Sequence, residues 1–204
     1  VPYLDEVTGG IVPHDFIIVG ARTGAGKSEL GVNIAAYNAR DGYRVAVFFL
    51  EAEDNEFEMR LKFQVMASRF KLDRRNRASG FNYARINYAD WRLGNLDEVD
   101  EFASLEDWAE DAIKRHYSGI KTYYRNISDF GAAEFEREIY KIKDEVDLII
   151  LDHLHYMDLE DGGGRDENAA MKKLAKRMKA ITSTLKIPII AIAHLKKGSS
   201  NKIV

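Results

Sequence analysis

The run Gly20-Ala21-Arg22-Thr23-Gly24-Ala25-Gly26-Lys27-Ser28 brings together the residue types that bind phosphate. Glycines let successive backbone N–H groups point into one concavity, and a following helix adds the positive end of its dipole. The Lys27 ammonium could then reach terminal phosphate oxygens, and the Ser28 hydroxyl could ligate magnesium. Counting back from Gly26-Lys27-Ser28, the position where a P-loop usually has its first glycine holds Ala21, with Gly20 one residue early. Glycine-rich turns between a strand and a helix also arise for steric reasons alone. Gly-Lys-Ser set between an apolar run and an amphipathic one favours nucleotide binding, with Ala21 to Ser28 as the cradle.

Three more polar residues close apolar runs. Glu51 follows Arg44–Leu50, Asp152 follows Val146–Leu151, and His194 follows Pro188–Ala193. Parallel sheets carry their ligands at the C-terminal edge of the strands, so each of these ends is a candidate position. Glu51 suits a general base, its plain alternative being a helix N-terminal acid, the reading preferred for Glu53 and Asp54. Asp152 has the form of a Walker B carboxylate that holds magnesium, mainly through water, beside Ser28. Alone, His194 would read as a structural histidine. As the third such strand end, it favours a phosphate sensor or coupling group.

These residues need elements to hold them. Asp15–Val19 has strand length, and Leu30, Ile34, Ala35 and Tyr37 recur at helical spacing, so the glycine run joins a strand to a helix ending near Gly42. The runs 44–50, 146–152 and 188–194 show little alternation, as expected of parallel strands buried on both faces. Helices are predicted from Glu56 to Phe70, Ala133 to Lys143 and about Asp166 to Lys186, with a short strand over Thr122–Arg125. Val1–His14 reads as turn chemistry, and Asp158–Arg165 as a polar loop. The expected fold is therefore α/β, a mostly parallel twisted sheet flanked by helices on both faces, over a single domain spanning 1–204.

Composition narrows the classes. The formal charge is −3, so no global basic field advertises nucleic acid. The chain has no cysteine, which excludes disulfides and thiolate zinc sites. No apolar run has membrane-spanning length, and a cytoplasmic location is expected. Locally, Lys62–Arg92 carries eight Lys or Arg against two acids with Phe81, Tyr83, Tyr88 and Trp91 interleaved, and Asp97–Asp111 then holds eight acids and no base. Basic residues among aromatics can bind single strands, but opposite neighbouring blocks more simply pair with each other or across a subunit boundary.

Taken in order, Thr8-Gly9-Gly10, the loop Ala21–Ser28, Phe49-Leu50-Glu51, Leu148-Ile149-Ile150-Leu151-Asp152-His153-Leu154 and Ile192-Ala193-His194-Leu195-Lys196-Lys197 resemble the ATPase domain of DnaB-type and phage replicative helicases within the RecA-like ATPases. Alanine followed by arginine at the start of the P-loop is usual there, and His194-Leu195-Lys196 resembles the phage primase-helicase version. The resemblance implies an ATP- and Mg2+-dependent hydrolase acting as a motor on single-stranded DNA. It further implies a homo-oligomeric ring, a hexamer, with nucleotide at subunit interfaces, a primase or helicase loader as partner, and no membrane. By position, Lys27 and Ser28 bind phosphate and magnesium, Glu51 is the base, Asp152 the Walker B acid and His194 the sensor. Arg165, Lys196, Lys197 and Lys202 fall in loops that would face DNA. The chain is also expected to stop short of the family's arginine finger. A RecA-like ATPase with a recombination, packaging or regulatory task would share these strand ends, and a nucleotide-binding assembly module without turnover is the reading from outside the enzymes.

Overall fold

The computed structural model of the chain describes residues 2–22, 24–50, 55–75, 86–96, 100–125, 130–154 and 167–194. Apolar runs alternate with helices: α1 (Pro2–Thr8), β1 (Phe16–Ala21), α2 (Lys27–Arg40), β2 (Val45–Phe49), α3 (Glu56–Arg75), α4 (Tyr88–Arg92), α5 (Asp100–Ala103), α6 (Glu106–His116), β3 (Ile120–Tyr124), α7 (Ala132–Ile142), β4 (Leu148–Asp152), α8 (Glu167–Leu185) and β5 (Ile189–His194). By contacts the chain forms two compact units, Val1–Glu53 with Gly119–Val204, and Asp54–Ser118.

The first unit is built on a five-stranded sheet in the order β1-β5-β4-β2-β3, every neighbouring pair parallel. The unalternating runs take the interior: β2 and β4 are buried throughout, and β5 in all but His194. Successive side chains point to opposite faces. Ile149, Leu151, Ile189 and Ala191 pack on one face with Phe135 and Ile139 of α7 and Leu174, Met178 and Ile181 of α8. On the other face lies α2, approaching so closely that a Cβ at Gly31 would stand 3.0 Å from Ile192 Cδ1 and 3.8 Å from Ile150 Cγ2. Helices therefore cover both faces, as the patterning predicts.

At the N-terminal edge of the sheet, Arg44 fixes the start of β2 against β4. Its guanidinium donates to Asp147 from Nε at 3.0 Å and from the terminal nitrogen at 2.7 Å, and its backbone N–H adds a third bond at 2.8 Å. Those hydrogen bonds from the Arg44 side chain hold the Asp147 carboxyl below its usual range.

The N-terminal segment differs from expectation. Residues Pro2–Thr8 are helical, with proline at the first position, where its missing N–H costs nothing. Gly9 and Gly10, at φ 76° and 84°, stop the helix, and the Gly9 N–H donates to Asp5 O at 2.9 Å. The glycine pair marks a helix end, not a continuous run of turns.

In the second unit, Phe57, Leu61, Val65, Met66 and Phe70 of α3 are buried together with Phe102, Ala109 and Ala112. Phe63 lies within ring contact of Tyr88, Trp91 and Phe102, at 5.7, 5.8 and 5.8 Å. Lys62 bridges Glu106 and Glu110, each at 2.9 Å. The opposite charge blocks thus pair within the unit at these residues, and Tyr88 and Trp91 serve its packing. Phe81 and Tyr83 lie outside the described residues.

Candidate nucleotide site

The register carries Ala21, the last residue of β1, level with His194, the last of β5. Among the described non-glycine residues only Asn55 and Lys186 have positive φ, so Ala21 sits in extended backbone where glycine's freedom has no use. The need for glycine comes later, at Gly24 (φ 78°) and Gly26 (φ 81°). A Cβ at either would meet nothing within 4 Å, so conformation, not space, asks for glycine there. Gly26 also caps α2 without a side chain to accept from its first turn, which suits that turn to an anion.

Lys27 opens α2 and is only 6% exposed. Its ammonium donates to the carbonyl of Arg22 at 3.0 Å and lies 3.1 Å from His194 Nδ1. An ammonium offers only donors, so Nδ1 is the acceptor and the ring proton lies on Nε2. The Arg22 carbonyl also accepts the Ala25 N–H at 3.2 Å, which folds the loop back on itself. Ser28, the second residue of α2, is half-buried.

Asp152 ends β4, 5% exposed, level with Ile192 of β5 and Phe49 of β2. Its carbonyl accepts the Leu50 N–H at 2.8 Å, tying the end of β2 to the end of β4. The Asp152–His153 peptide bond is cis. His153 is 2% exposed; its Nε2 stands 3.8 Å from Asp152 Oδ1, and its ring centre lies 3.6 Å from that of His194.

The structure thus brings Lys27 and His194 into contact at the edge where Asp152 also ends. Thr23, Glu51, Arg165, Lys196, Lys197 and Lys202 lie outside the described residues. Sequence reasoning singled out Asp152 and His194 but missed His153, whose only signal was its place directly after the strand-end aspartate. Interposing β5 between β1 and β4 sets a histidine between a phosphate-loop lysine and a buried carboxylate.

A glycine turn from β1 into α2, with a buried lysine at the helix start and an acid at the end of β4 beyond an intervening strand, defines a P-loop nucleotide-binding protein of the RecA-like class. The model of the DnaB-like helicase C terminal domain matches residues 1–203, and the chain belongs to that family. The replicative DNA helicase DnaB of Synechocystis sp. is 24% identical over 201 residues, 98% of this chain and 20% of that protein. Its counterpart in Leifsonia xyli is 26% identical over 205 residues, 98% of this chain and 39% of that protein. The chain therefore spans between 20% and 39% of the length of these curated relatives. Among solved structures, a DnaB-like replicative helicase, described with its interactions with primase, matches with a TM-score of 0.75 at 16% identity, covering 96% of this chain and 42% of that one. At such identity this likeness establishes the fold.

Proposed function

We propose that this chain is the motor domain of a replicative DNA helicase, hydrolysing ATP at subunit interfaces of a homo-oligomeric ring, a hexamer, to translocate on single-stranded DNA and unwind duplex. Family membership supplies the task. The observation that carries the site is the 3.1 Å contact between Lys27 Nζ and His194 Nδ1, which joins the phosphate loop to the strand that would report its state.

On this reading, Gly24 to Ser28 receive the phosphates through backbone N–H groups and the Lys27 ammonium. The donor set fits magnesium as well. The half-buried Ser28 hydroxyl and, through water, the Asp152 carboxylate would hold an ion whose charge offsets that of the phosphates. Such an ion takes most of its ligands from phosphate and water, so the protein need supply few. Glu51, one residue beyond the Leu50–Asp152 hydrogen bond, is assigned as the base that orients the attacking water. Moving the Lys27 ammonium onto phosphate takes it from His194 Nδ1, and this change couples nucleotide state to the segment after β5. We assign Arg165, Lys196, Lys197 and Lys202 to DNA contact and a primase or loader as partner. Residues 1–204 are taken as one RecA-like domain, with Asp54–Ser118 as its helical insertion between β2 and β3. The place of work is assigned to the cytoplasm of a bacterial or virus-infected cell, where replication proceeds. Among the described residues no helix is long and apolar enough to cross a membrane.

The test is ATP hydrolysis with and without single-stranded DNA, together with strand displacement on a forked duplex. DNA-stimulated hydrolysis without unwinding would sink the helicase assignment and leave a RecA-like ATPase of another kind. Equal background rates in this chain and in Glu51→Gln would identify a nucleotide-binding assembly module without turnover.

A further inference from the structure

We infer that His153 is a positioning residue for His194, a role that rests on the reading of His194 as the coupling group. Strands β4 and β5 run side by side with Asp152 paired to Ile192, so His153 and His194 emerge next to each other where the two strands end. Their burial differs: His153 is 2% exposed, whereas His194 is half-buried beside the P-loop lysine. A half-exposed imidazole at a strand end has two rotatable torsions and several staggered positions open to it. The His153 ring, centred 3.6 Å from that of His194 and tilted by 43°, lies against it in the observed setting, and a ring packed that closely restricts the settings open to its neighbour. In that setting His194 Nδ1 meets the Lys27 ammonium at 3.1 Å.

His153 also reaches the other strand-end group, its Nε2 standing 3.8 Å from Asp152 Oδ1. The contacts Asp152–His153–His194–Lys27 therefore form one continuous row from the proposed magnesium carboxylate to the phosphate-loop ammonium. A displacement of the acid on phosphate binding would reach the sensor through this buried ring, since close-packed interiors transmit small shifts. Plain core filling would be met at lower desolvation cost by an aliphatic side chain such as those of Leu151 and Leu154, which are buried on either side of Asp152-His153.

The test uses the whole chain labelled with 15N-histidine, the His194 signals being assigned with His194→Gln. Ring nitrogen shifts are read at a pH of about 8, where imidazoles are neutral. In the wild type, His194 should show an unprotonated Nδ1 and a protonated Nε2. His153→Ala should average the two tautomers, while His153→Phe, which keeps a flat ring, should retain the wild-type positions. In hydrolysis, His153→Ala should lower kcat about tenfold with KM within about twofold, and His153→Phe should recover to within about threefold of wild type. Wild-type His194 shifts in His153→Ala, or a folded His153→Phe that averages like the alanine variant, would overturn the inference. If His153→Ala fails to fold, His153→Phe decides alone: retained shifts and kcat support the role, and averaged shifts refute it. The two readings fail separately, because unchanged hydrolysis in His194→Ala would remove the coupling role of His194 while the ring shifts still report what His153 does to it.

Discussion

Replacing His194 by alanine should tighten ADP binding even as it slows hydrolysis. The Lys27 ammonium, 6% exposed, donates to Arg22 O at 3.0 Å and to His194 Nδ1 at 3.1 Å. A phosphate that recruits this lysine must draw it from at least one of those acceptors, so binding is an exchange of partners. A hydrogen bond to a charged group contributes about 1.5–3 kcal/mol, and water admitted at the half-buried His194 would replace part of it, leaving about 1 kcal/mol. Alanine removes that stabilisation from the nucleotide-free protein. It leaves the ADP complex nearly untouched, since ADP lacks the terminal phosphoryl group that His194 is proposed to sense. Raising the nucleotide-free state by about 1 kcal/mol lowers Kd about fivefold. Isothermal titration of both proteins with ADP and magnesium measures this directly. A Kd in His194→Ala equal to or weaker than that of the wild type would refute the exchange.

Lys27→Ala should abolish nucleotide binding, and micromolar ATP affinity surviving in that variant would remove the central assignment. Gly31→Val should destabilise the fold by about 2–3 kcal/mol in chemical denaturation, because its Cβ starts 3.0 Å from Ile192 Cδ1 and the added methyls overpack α2 on the sheet. Gly31→Ala should cost less, about 1 kcal/mol or under, since helix propensity offsets part of the clash; equal stability of the valine variant and wild type would show that α2 is not seated as described. The Arg44 hydrogen bonds lower the folded-state pKa of Asp147, so its stabilisation is present above the unfolded value of about 3.9 and is lost as pH falls through the lower folded one. With its side chain 34% exposed, solvent screening reduces the contribution to about 1 kcal/mol. The stability gap between wild type and Asp147→Asn should thus be open at neutral pH and close as pH falls through the lowered folded-state value, and a gap independent of pH would contradict the pairing.

Much of the scaffold was legible because burial on both faces leaves a plain mark. Runs such as Ile149-Ile150-Leu151 and Ile189-Ile190-Ala191-Ile192 lack alternation and end on polar residues, which located β4, β5 and their functional ends together. Strand order was not legible. Periodicity states which residues are buried but says nothing of neighbours, and only the insertion of β5 between β1 and β4 puts His194 against Lys27. The same gap hid His153, whose significance lies in its 3.6 Å approach to a residue 41 positions away in the chain. The Ala21 substitution became intelligible for a related reason. Its spacing in the motif asks for glycine, whereas its place in the β1 ladder, paired with His194, asks only for extended backbone.

The burial of Lys27 sets a limit on how tightly the site can hold nucleotide. A buried ammonium is costly unless hydrogen-bonded, and this one is already supplied by a loop carbonyl and an imidazole nitrogen. The Lys27 ammonium is therefore held in place and partly satisfied at once. Phosphate gains the difference between its own attraction and that of Arg22 O and His194 Nδ1, not the whole of the former. For the proposed motor this would be the useful arrangement, because the partners that weaken binding would also be those that refill when product leaves, and one of them belongs to the strand proposed to sense the departure. A P-loop whose lysine faced water alone would bind by the same contacts but would have no residue on β5 whose hydrogen bonding changes with nucleotide occupancy.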